Sequence, residues 1–332
     1  MKFLTRKFQA GDFTRCWPLY FAHSRFSEEE TDQIRRACEY LIANGSMQGA
    51  VIYDADSPDG EIRAFGASMF MRRSWVEALK ECPRPYSFIQ CLIDFESSDS
   101  PILDEDGIAA DNSGEGLSLA TAIDGFAPVP TGLLEVGGRL VSAYQNAHRG
   151  FHLRETVGEV YGLEPLKFCT QSGSWTEFSR YEDYYLRSNE PLPDETGQPI
   201  LLTATPASCT MASPHWVMFD FSPPVLDLSR RQKHVLMLAL EGMSNRAIGA
   251  ALDLRPASVH NCFRGAWTKL SQHPTYQNMI EPPKGGAGGN RRRVQLLRVL
   301  EHHMEELRPW IVRRASGVKG GKLSVSQAAS LS

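Results

Sequence analysis

The sequence predicts a two-part chain, an α+β domain over residues 1–222 followed by a small all-α domain over 223–275. Three observations predict it. Strand-like and helix-like stretches alternate along the first two thirds, the pattern of a sheet covered by helices. Three short amphipathic helices then follow one another between Leu228 and Leu270. The charge divides near the same point: from Leu228 onward there are 17 Lys and Arg against 6 Asp and Glu, and before it 18 against 33, within a net charge of -4. A basic end on an acidic body is the layout of a module that meets a polyanion, joined to a part that does not.

In chain order, Lys2 to Phe8 reads as a strand, and Asp12 to Phe21 and Glu28 to Ala43 read as helices. Gly49 to Asp54 and Ile62 to Met71 form a hairpin around Ser57-Pro58-Asp59-Gly60, residues whose backbone preferences favour a turn. Tyr86 to Phe95, Leu117 to Ile123 and Trp216 to Phe221 are strand candidates, and Leu133 to Tyr161 is helical in pattern with a break at Gly150. Hydrophobic content of 42% and charged content of 22% are those of ordinary globular protein. No apolar run is long enough to span a bilayer, and Met1 to Phe13 lacks the apolar stretch of a secretory signal, so a cytoplasmic chain with no membrane partner is expected. The seven cysteines are scattered singly without a CxxC pair, as reduced, buried thiols would be.

The segment from Leu228 to Leu270 parses into three helices by its start and stop signals. Ser229 followed by Gln232 is a capping box, each side chain satisfying a backbone N–H that the helix start leaves without a partner. Val235, Leu238 and Ala239 form the apolar stripe, and Gly242 ends the helix. Ser244 caps the second helix, which turns Ile248, Ala251 and Leu252 inward. Asp253, Leu254 and Arg255 make the turn, and Pro256 opens the third helix where its missing N–H costs nothing. On that helix Val259, Phe263, Ala266 and Leu270 face inward at spacings of three and four, while Ser258, His260, Asn261, Arg264 and Thr268 point outward. Helices this short are marginal alone and must pack as a trihelical unit. The outward face is polar and cationic and suits a major groove, where Arg264 can grip guanine and Asn261 adenine.

This segment resembles the LuxR-type helix-turn-helix family, aligning without gaps through Leu228, Arg231, Val235, Leu236, Leu238, Gly242, Ser244, Asn245, Ile248, Leu252, Leu254, Val259, Lys269 and Leu270. The resemblance implies that Ser244, Asn245 and Arg246 open a scaffold helix near the phosphates. It also implies that Ser258, His260, Asn261 and Arg264 belong to a recognition helix, with Thr268 and Lys269 completing the DNA-contacting set. The sequence departs from the family at Gln232 and Ala247, where acidic residues are usual, at Arg255, where a capping Ser is common, and at His260, where Lys is usual. A histidine is mostly neutral at pH 7, so position 260 offers one phosphate partner fewer.

Beyond Leu270 the family's short fourth helix is displaced. Residues 276–290, with Pro282 to Asn290 reading PPKGGAGGN, are expected to form a linker. Arg291 to Arg314 is an amphipathic helix kinked at Pro309, with Val294, Leu297, Leu300, Met304, Leu307 and Ile311 on one side. It is a dimerisation or packing helix, a basic helix touching phosphates, or an intramolecular brace. Residues 315–332, rich in Gly, Ser and Ala, are expected to be disordered.

The opening, FLTRKFQAGDFTRCWPLY through GAVIYDADSPDGEIRAFGASMFM, is similar to the start of a GNAT-superfamily acetyltransferase. That resemblance implies a mixed sheet with flanking helices, and a loop of Arg/Gln-x-x-Gly-x-Gly/Ala pattern for the coenzyme A pyrophosphate. No such loop is found. Ser113-Gly114-Glu115-Gly116 and Val136-Gly137-Gly138-Arg139 are the nearest glycine-rich pieces, and Glu115 would repel a phosphate. His148, His152, Glu155 and Glu159 fall at helical spacings that would set them along one side of the same helix, but Arg149 stands where a metalloprotease signature needs glutamate. A solvated face explains them better than a metal. Tyr181, Tyr184 and Tyr185, with Trp175 and Phe178, are read as core rather than as a ligand pocket. No catalytic residue, cofactor or metal is therefore expected. The reading is a homodimeric regulator of transcription that binds double-stranded DNA, with a first domain that senses a small molecule or a partner. The alternatives are an N-acetyltransferase with an accessory helical module, or a protein-binding adaptor that does not bind DNA.

Overall fold

The computed structural model describes residues 2–127, 133–171, 173, 175–194, 198–209, 213, 215–280 and 289–311. Seven strands, β1 (Phe3–Lys7), β2 (Met47–Asp54), β3 (Ile62–Met71), β4 (Leu117–Phe126), β5 (Leu153–Tyr161), β6 (Thr176–Arg180) and β7 (Pro199–Ala204), make one sheet in the order β1-β2-β3-β4-β5-β7-β6. The first domain also contains helices α1 (Phe13–Cys16), α2 (Glu28–Ala43), α3 (Arg73–Glu81), α4 (Ser87–Ile93), α5 (Glu105–Asn112), α6 (Leu133–His148), α7 (Leu163–Gln171), α8 (Glu182–Ser188) and α9 (Trp216–Phe219). The second contains α10 (Arg230–Leu240), α11 (Asn245–Ala251), α12 (Pro256–Gln272), α13 (Pro274–Gln277) and α14 (Gly289–His302).

Neighbouring strands are antiparallel except β4 and β5, which run parallel. A parallel pair cannot be closed by a tight turn, and α6 makes the crossover. Strand alternation gives the sheet two apolar faces. Val51, Phe65, Met69 and Val157 pack with Ile34, Cys38 and Leu41 of α2 and Phe88, Ile89 and Leu92 of α4. On the other face Ile52 and Ala64 meet Val136 and Leu140 of α6. The mixed sheet with flanking helices is as the resemblance implied.

Four local expectations are corrected. Leu133 to Tyr161 is not one helix: α6 stops at His148, Gly150 takes φ +83, and Leu153–Tyr161 is β5 inside the sheet. The spacing of four among acidic residues looked helical, but it is also an even number and so fits one face of a strand. Consequently His148, His152, Glu155 and Glu159 share no helical side. His148 lies on α6, bonded to Ser68 Oγ (2.7 Å) and the Tyr144 carbonyl (2.7 Å), while Glu155 on β5 accepts from Ser118 Oγ (2.6 Å) and Lys80 Nζ (2.5 Å). Among the described residues no group of three or more His, Cys, Asp or Glu could hold a metal. Tyr86 to Phe95 is helix α4, entered from Tyr86 at φ 59, with Phe88, Ile89 and Leu92 on a helical face. Trp216 to Phe221 contains the one-turn α9 instead of a strand. Asp12 to Phe21 is broken into α1 and flanking 3-10 turns around Pro18.

The tyrosine cluster is partly core. Tyr181 and Tyr185 are buried in the main core and Tyr184 packs against it, whereas Phe178 is exposed and Trp175 lies at a different cluster.

In the second domain Leu226, Val235, Leu236, Ile248, Val259, Phe263, Ala266 and Leu270 share one core with Leu296, Val299 and Leu300 of α14 and with Leu307. The amphipathic helix expected over 291–314 runs only to His302, then a 3-10 turn spans Met304–Leu307. Arg308 is extended (φ -75, ψ 152), the conformation that the following Pro309 imposes on its neighbour. Of the expected linker, 281–288 lies outside the described residues, as does the expected disordered tail over 315–332.

The stretch His303–Ile311 is a strap that joins the two domains. Buried Glu306 accepts from the backbone N–H of Val225 (2.9 Å) and Leu226 (2.9 Å) and from Tyr276 Oη (2.7 Å). Buried Arg308 donates to the carbonyls of Arg149 (2.9 Å) and Ala147 (2.8 Å) at the end of α6 and lies 4.3 Å from the Phe151 ring centre. Lys233 of α10 donates to the Arg308 carbonyl (2.6 Å), and Asn112 donates to that of Pro309 (2.6 Å). A side chain at Gly150 would meet the Glu305 nitrogen at 2.4 Å, so only glycine lets the strap pass. Solvent-exposed pairs such as Lys7–Glu241 also cross the junction, but pairs of that kind contribute roughly 0–1 kcal/mol each. The buried strap sets the arrangement.

Burial pushes the Lys233 ammonium down to about 8, with Glu306 and Asp227 opposing the shift. Between that value and its ordinary 10.5 the unfolded chain holds a proton that the folded chain has released, so stability rises with pH across this window. Urea unfolding of the wild type should gain about 1–2 kcal/mol relative to Lys233→Met from pH 7.5 to 9.5. Parallel pH profiles for the two proteins would show that Lys233 is not held as a buried charge.

Candidate nucleic-acid interface

The helix-turn-helix assembles as its sequence signals require. Gln232 N donates to Ser229 Oγ (3.3 Å) and Ser229 N donates to Gln232 Oε1 (2.9 Å), closing the capping box of α10. Ser244 Oγ accepts from Ala247 N (3.2 Å) at the start of α11. The turn brings the Leu254 carbonyl within 2.7 Å of where a β-carbon on Gly249 would sit, which fixes glycine at that crossing. Arg255 occupies the N-cap of α12 without a side-chain bond, so the start of α12 rests on Pro256 and on packing.

Val259, Ala266 and Leu270 of α12 are fully buried, with Cys262 and Phe263 nearly so. His260, Asn261, Arg264 and Thr268 are exposed, and Ser258 is half-buried. Among the described residues the anticipated reading face is therefore left uncovered. Arg264 Nη2 donates to Asn261 Oδ1 (2.9 Å), tying these two side chains of the face together, and Thr268 Oγ1 donates to the Arg264 carbonyl (3.0 Å). Between Met243 and Gln272 the only acid is Asp253, against Arg246, Arg255, Arg264 and Lys269.

The other expected contacts divide by exposure. Ser244 and Arg246 are exposed at the head of α11. Half-buried Asn245 accepts from Arg293 of α14, and Lys269 Nζ donates to the Asp227 carbonyl. Both therefore have structural partners within the protein. What sequence reasoning left open was the place of the Arg291-Arg292-Arg293 run. Arg293 lies 4.5 Å from the Phe263 ring centre and bonds the Met243 carbonyl (3.3 Å), so α14 docks beside α12. Between them runs a groove of about 360 Å³ lined by His260, Arg264, Trp267, Arg292 and Leu296. The apolar side expected through Val294, Leu297, Leu300 and Ile311 is rotated in the structure: Leu296, Val299 and Leu300 are buried, Leu297 is partly buried, and Val294 and Ile311 are exposed.

The family model described as bacterial regulatory proteins, luxR family (GerE) matches residues 226–277. A search among curated proteins finds no match. Among solved structures, the NatC complex bound to Gag peptide and CoA aligns at 10% identity and a TM-score of 0.35, covering 62% of this chain and 99% of that one. A mutant spermidine N-acetyltransferase SpeG from Vibrio cholerae aligns at 11% and 0.34, covering 61% and 94%. A protein assigned to the GNAT family from Desulfovibrio desulfuricans aligns at 11% and 0.31, covering 61% and 99%. These scores are low, and the fold of the first domain is described by its own strand order. Residues 226–277 match the LuxR-family helix-turn-helix model, and they follow an α+β domain built on a seven-stranded mixed sheet.

Proposed function

We propose that the chain is a transcription regulator that binds double-stranded DNA as a homodimer, with the first domain responding to a small molecule or a partner. The observation that supports this most directly is the solvent-exposed, cationic face of α12, presented by a LuxR-family domain. Arg264 and Asn261 are assigned to base edges, His260, Ser258 and Thr268 to flanking contacts, and Ser244 and Arg246 to phosphates. Asn245 and Lys269 act by holding α14 and the domain entrance in place, through the bonds to Arg293 and Asp227. One helix reads only a few base pairs, so two copies on a two-fold site supply discrimination that one cannot.

Acyl transfer is the weaker reading. Val136-Gly137-Gly138-Arg139 lies within the body of α6 instead of in a loop opening it, and Glu115 in the other glycine-rich piece is engaged by Arg73. Neither offers the row of free backbone N–H groups that a pyrophosphate requires.

Selection of bound fragments from random duplexes by the purified chain should return a two-fold motif; recovery of no motif would remove the DNA-binding reading. Arg264→Ala should cost about 1–3 kcal/mol in binding and relax preference at one base position per half-site. An unaltered motif with that variant would mean that α12 is not the reading helix. Arg246→Gln should lower the slope of log affinity against log salt by about 0.9 per lost phosphate contact while leaving the motif intact. Binding insensitive to salt would instead favour a protein-binding adaptor.

A further inference from the structure

Two helices share the groove beside the reading face. Helix α12 contributes His260, Arg264 and Trp267, whose spacings of four and three set them on one side of it, and α14 contributes Arg292 and Leu296. Buried Phe263 also lines the groove and carries Arg293 across its ring. Among the described residues three arginines line this groove and no acid does. Like charges gathered without a countercharge repel one another, so the arrangement suits an anion supplied from outside the chain.

Two of the three arginines are engaged. Arg293 bonds Asn245 and the Met243 carbonyl, and Arg264 bonds Asn261. Arg292 is exposed and has no hydrogen bond or ion pair among the described residues. Its place on the helix sharpens the point. Arg292, Leu296 and Val299 stand at spacings of four and three on the stripe of α14 that turns toward the core of the second domain, and Leu296 and Val299 are buried there. An apolar residue at position 292 would continue that packing, but the chain sets a charge there. Because His260 and Arg264 of the reading face wall the same groove, Arg292 lies on the side of α14 that α12 presents to a ligand.

Dimensions decide which anion reaches it. A major groove about 12 Å wide admits one helix, itself about 10–12 Å across with its side chains. With α12 in that groove, a helix packed beside it about 8–10 Å away lies over the rim, where the sugar-phosphate backbone runs. We propose that Arg292 grips a backbone phosphate of the same duplex that α12 reads, with an imidazole N–H of His260 as a second donor. Trp267 and Leu296 beside it lower the local dielectric, which strengthens a guanidinium–phosphate bond. Asn245, which the family resemblance sets near the phosphates, is held by Arg293, so α14 supplies the contact in its place. The inference deepens the DNA-binding reading and rests on it.

The test is the affinity of the full chain for the duplex that selection returns, from about 50 to 200 mM salt, with Arg292→Gln and Arg292→Lys beside the wild type. Arg292→Gln should make log affinity against log salt shallower by about 0.9, so that its deficit relative to the wild type shrinks about 3.5-fold across that range. Arg292→Lys should keep the wild-type slope, and both variants should return the wild-type motif and keep the unliganded Tm. Among duplexes carrying one neutral methylphosphonate at successive flanking positions, one should weaken the wild type and leave Arg292→Gln unaffected. An altered motif would make Arg292 a reader of bases and overturn the proposal, as would equal responses of the two proteins to every methylphosphonate. Weaker binding with an unchanged slope would overturn it in favour of α14 as a surface for a second copy of the chain. Each of these results leaves the DNA-binding reading standing, whereas a wild type that binds no duplex would remove both.

Discussion

The arrangement of the two domains depends on two buried charges in one short strap. Glu306 gathers the entrance to the second domain and Tyr276, and two residues later Arg308 closes the end of α6 in the first. A buried charge is tolerable only when it is paired or hydrogen-bonded, and these are: three donors meet the Glu306 carboxylate and two carbonyls meet the Arg308 guanidinium. Arg308 also lies where a helix gathers its unsatisfied carbonyls and the negative end of its dipole, which favours a cation there. The surface ion pairs at the junction, Lys7–Glu241 and the pairing of Arg230 with Glu105, add contacts that water and salt weaken. The strap therefore decides where the helix-turn-helix sits, and the exposed face of α12 is left outward as a consequence.

The second domain was more legible than the first, for a physical reason. In α10, α11 and α12 each boundary is written locally: Ser229 with Gln232, Ser244, Pro256 and Gly242 act within a few residues of themselves. Strand β5 is not written that way. Its Glu155 and Glu159 are polar residues inside a sheet, made tolerable by Lys80, Ser118 and the backbone of Tyr86, all distant in sequence. Without those partners in view the acidic residues read as a solvated helix face. Helix α4 was hidden similarly, since its aromatic and β-branched composition favours a strand and only packing against α2 selects the helix. The reading face at His260, Asn261 and Arg264 was visible in the sequence, whereas the groove beside it gave no signal, because only the fold brings Arg292 and Leu296 next to His260 and Arg264.

The fourth helix shows how a displaced element can fill a role that spacing hid. The family places a helix soon after the third; here Pro274–Gln277 gives a single turn, and α14 arrives only at residue 289. It nonetheless completes the same core, because Leu296, Val299 and Leu300 present the apolar stripe that α10 and α12 leave uncovered. Burying each such side chain contributes about 1.5–3 kcal/mol, enough to hold the helix against the entropy of the longer connection, which grows only slowly with length. The longer path has a chemical consequence as well. It brings two arginines to the flank of α12, Arg293 on Phe263 and Asn245 and Arg292 in the groove beside His260 and Arg264. A cation from a different helix therefore stands next to position 260, where the resemblance would have placed Lys.

Helix α6 belongs to both halves of the molecule. Val136 and Leu140 seat it on the sheet beside Ile52 and Ala64, and the carbonyls at its end hold Arg308 of the strap. Those carbonyls are groups that a helix end leaves without partners, so the strap takes up acceptors that would otherwise be unmet. Since Lys233 bonds the Arg308 carbonyl and Glu306 holds the domain entrance, the seat of the helix-turn-helix is fixed through α6 to the sheet itself.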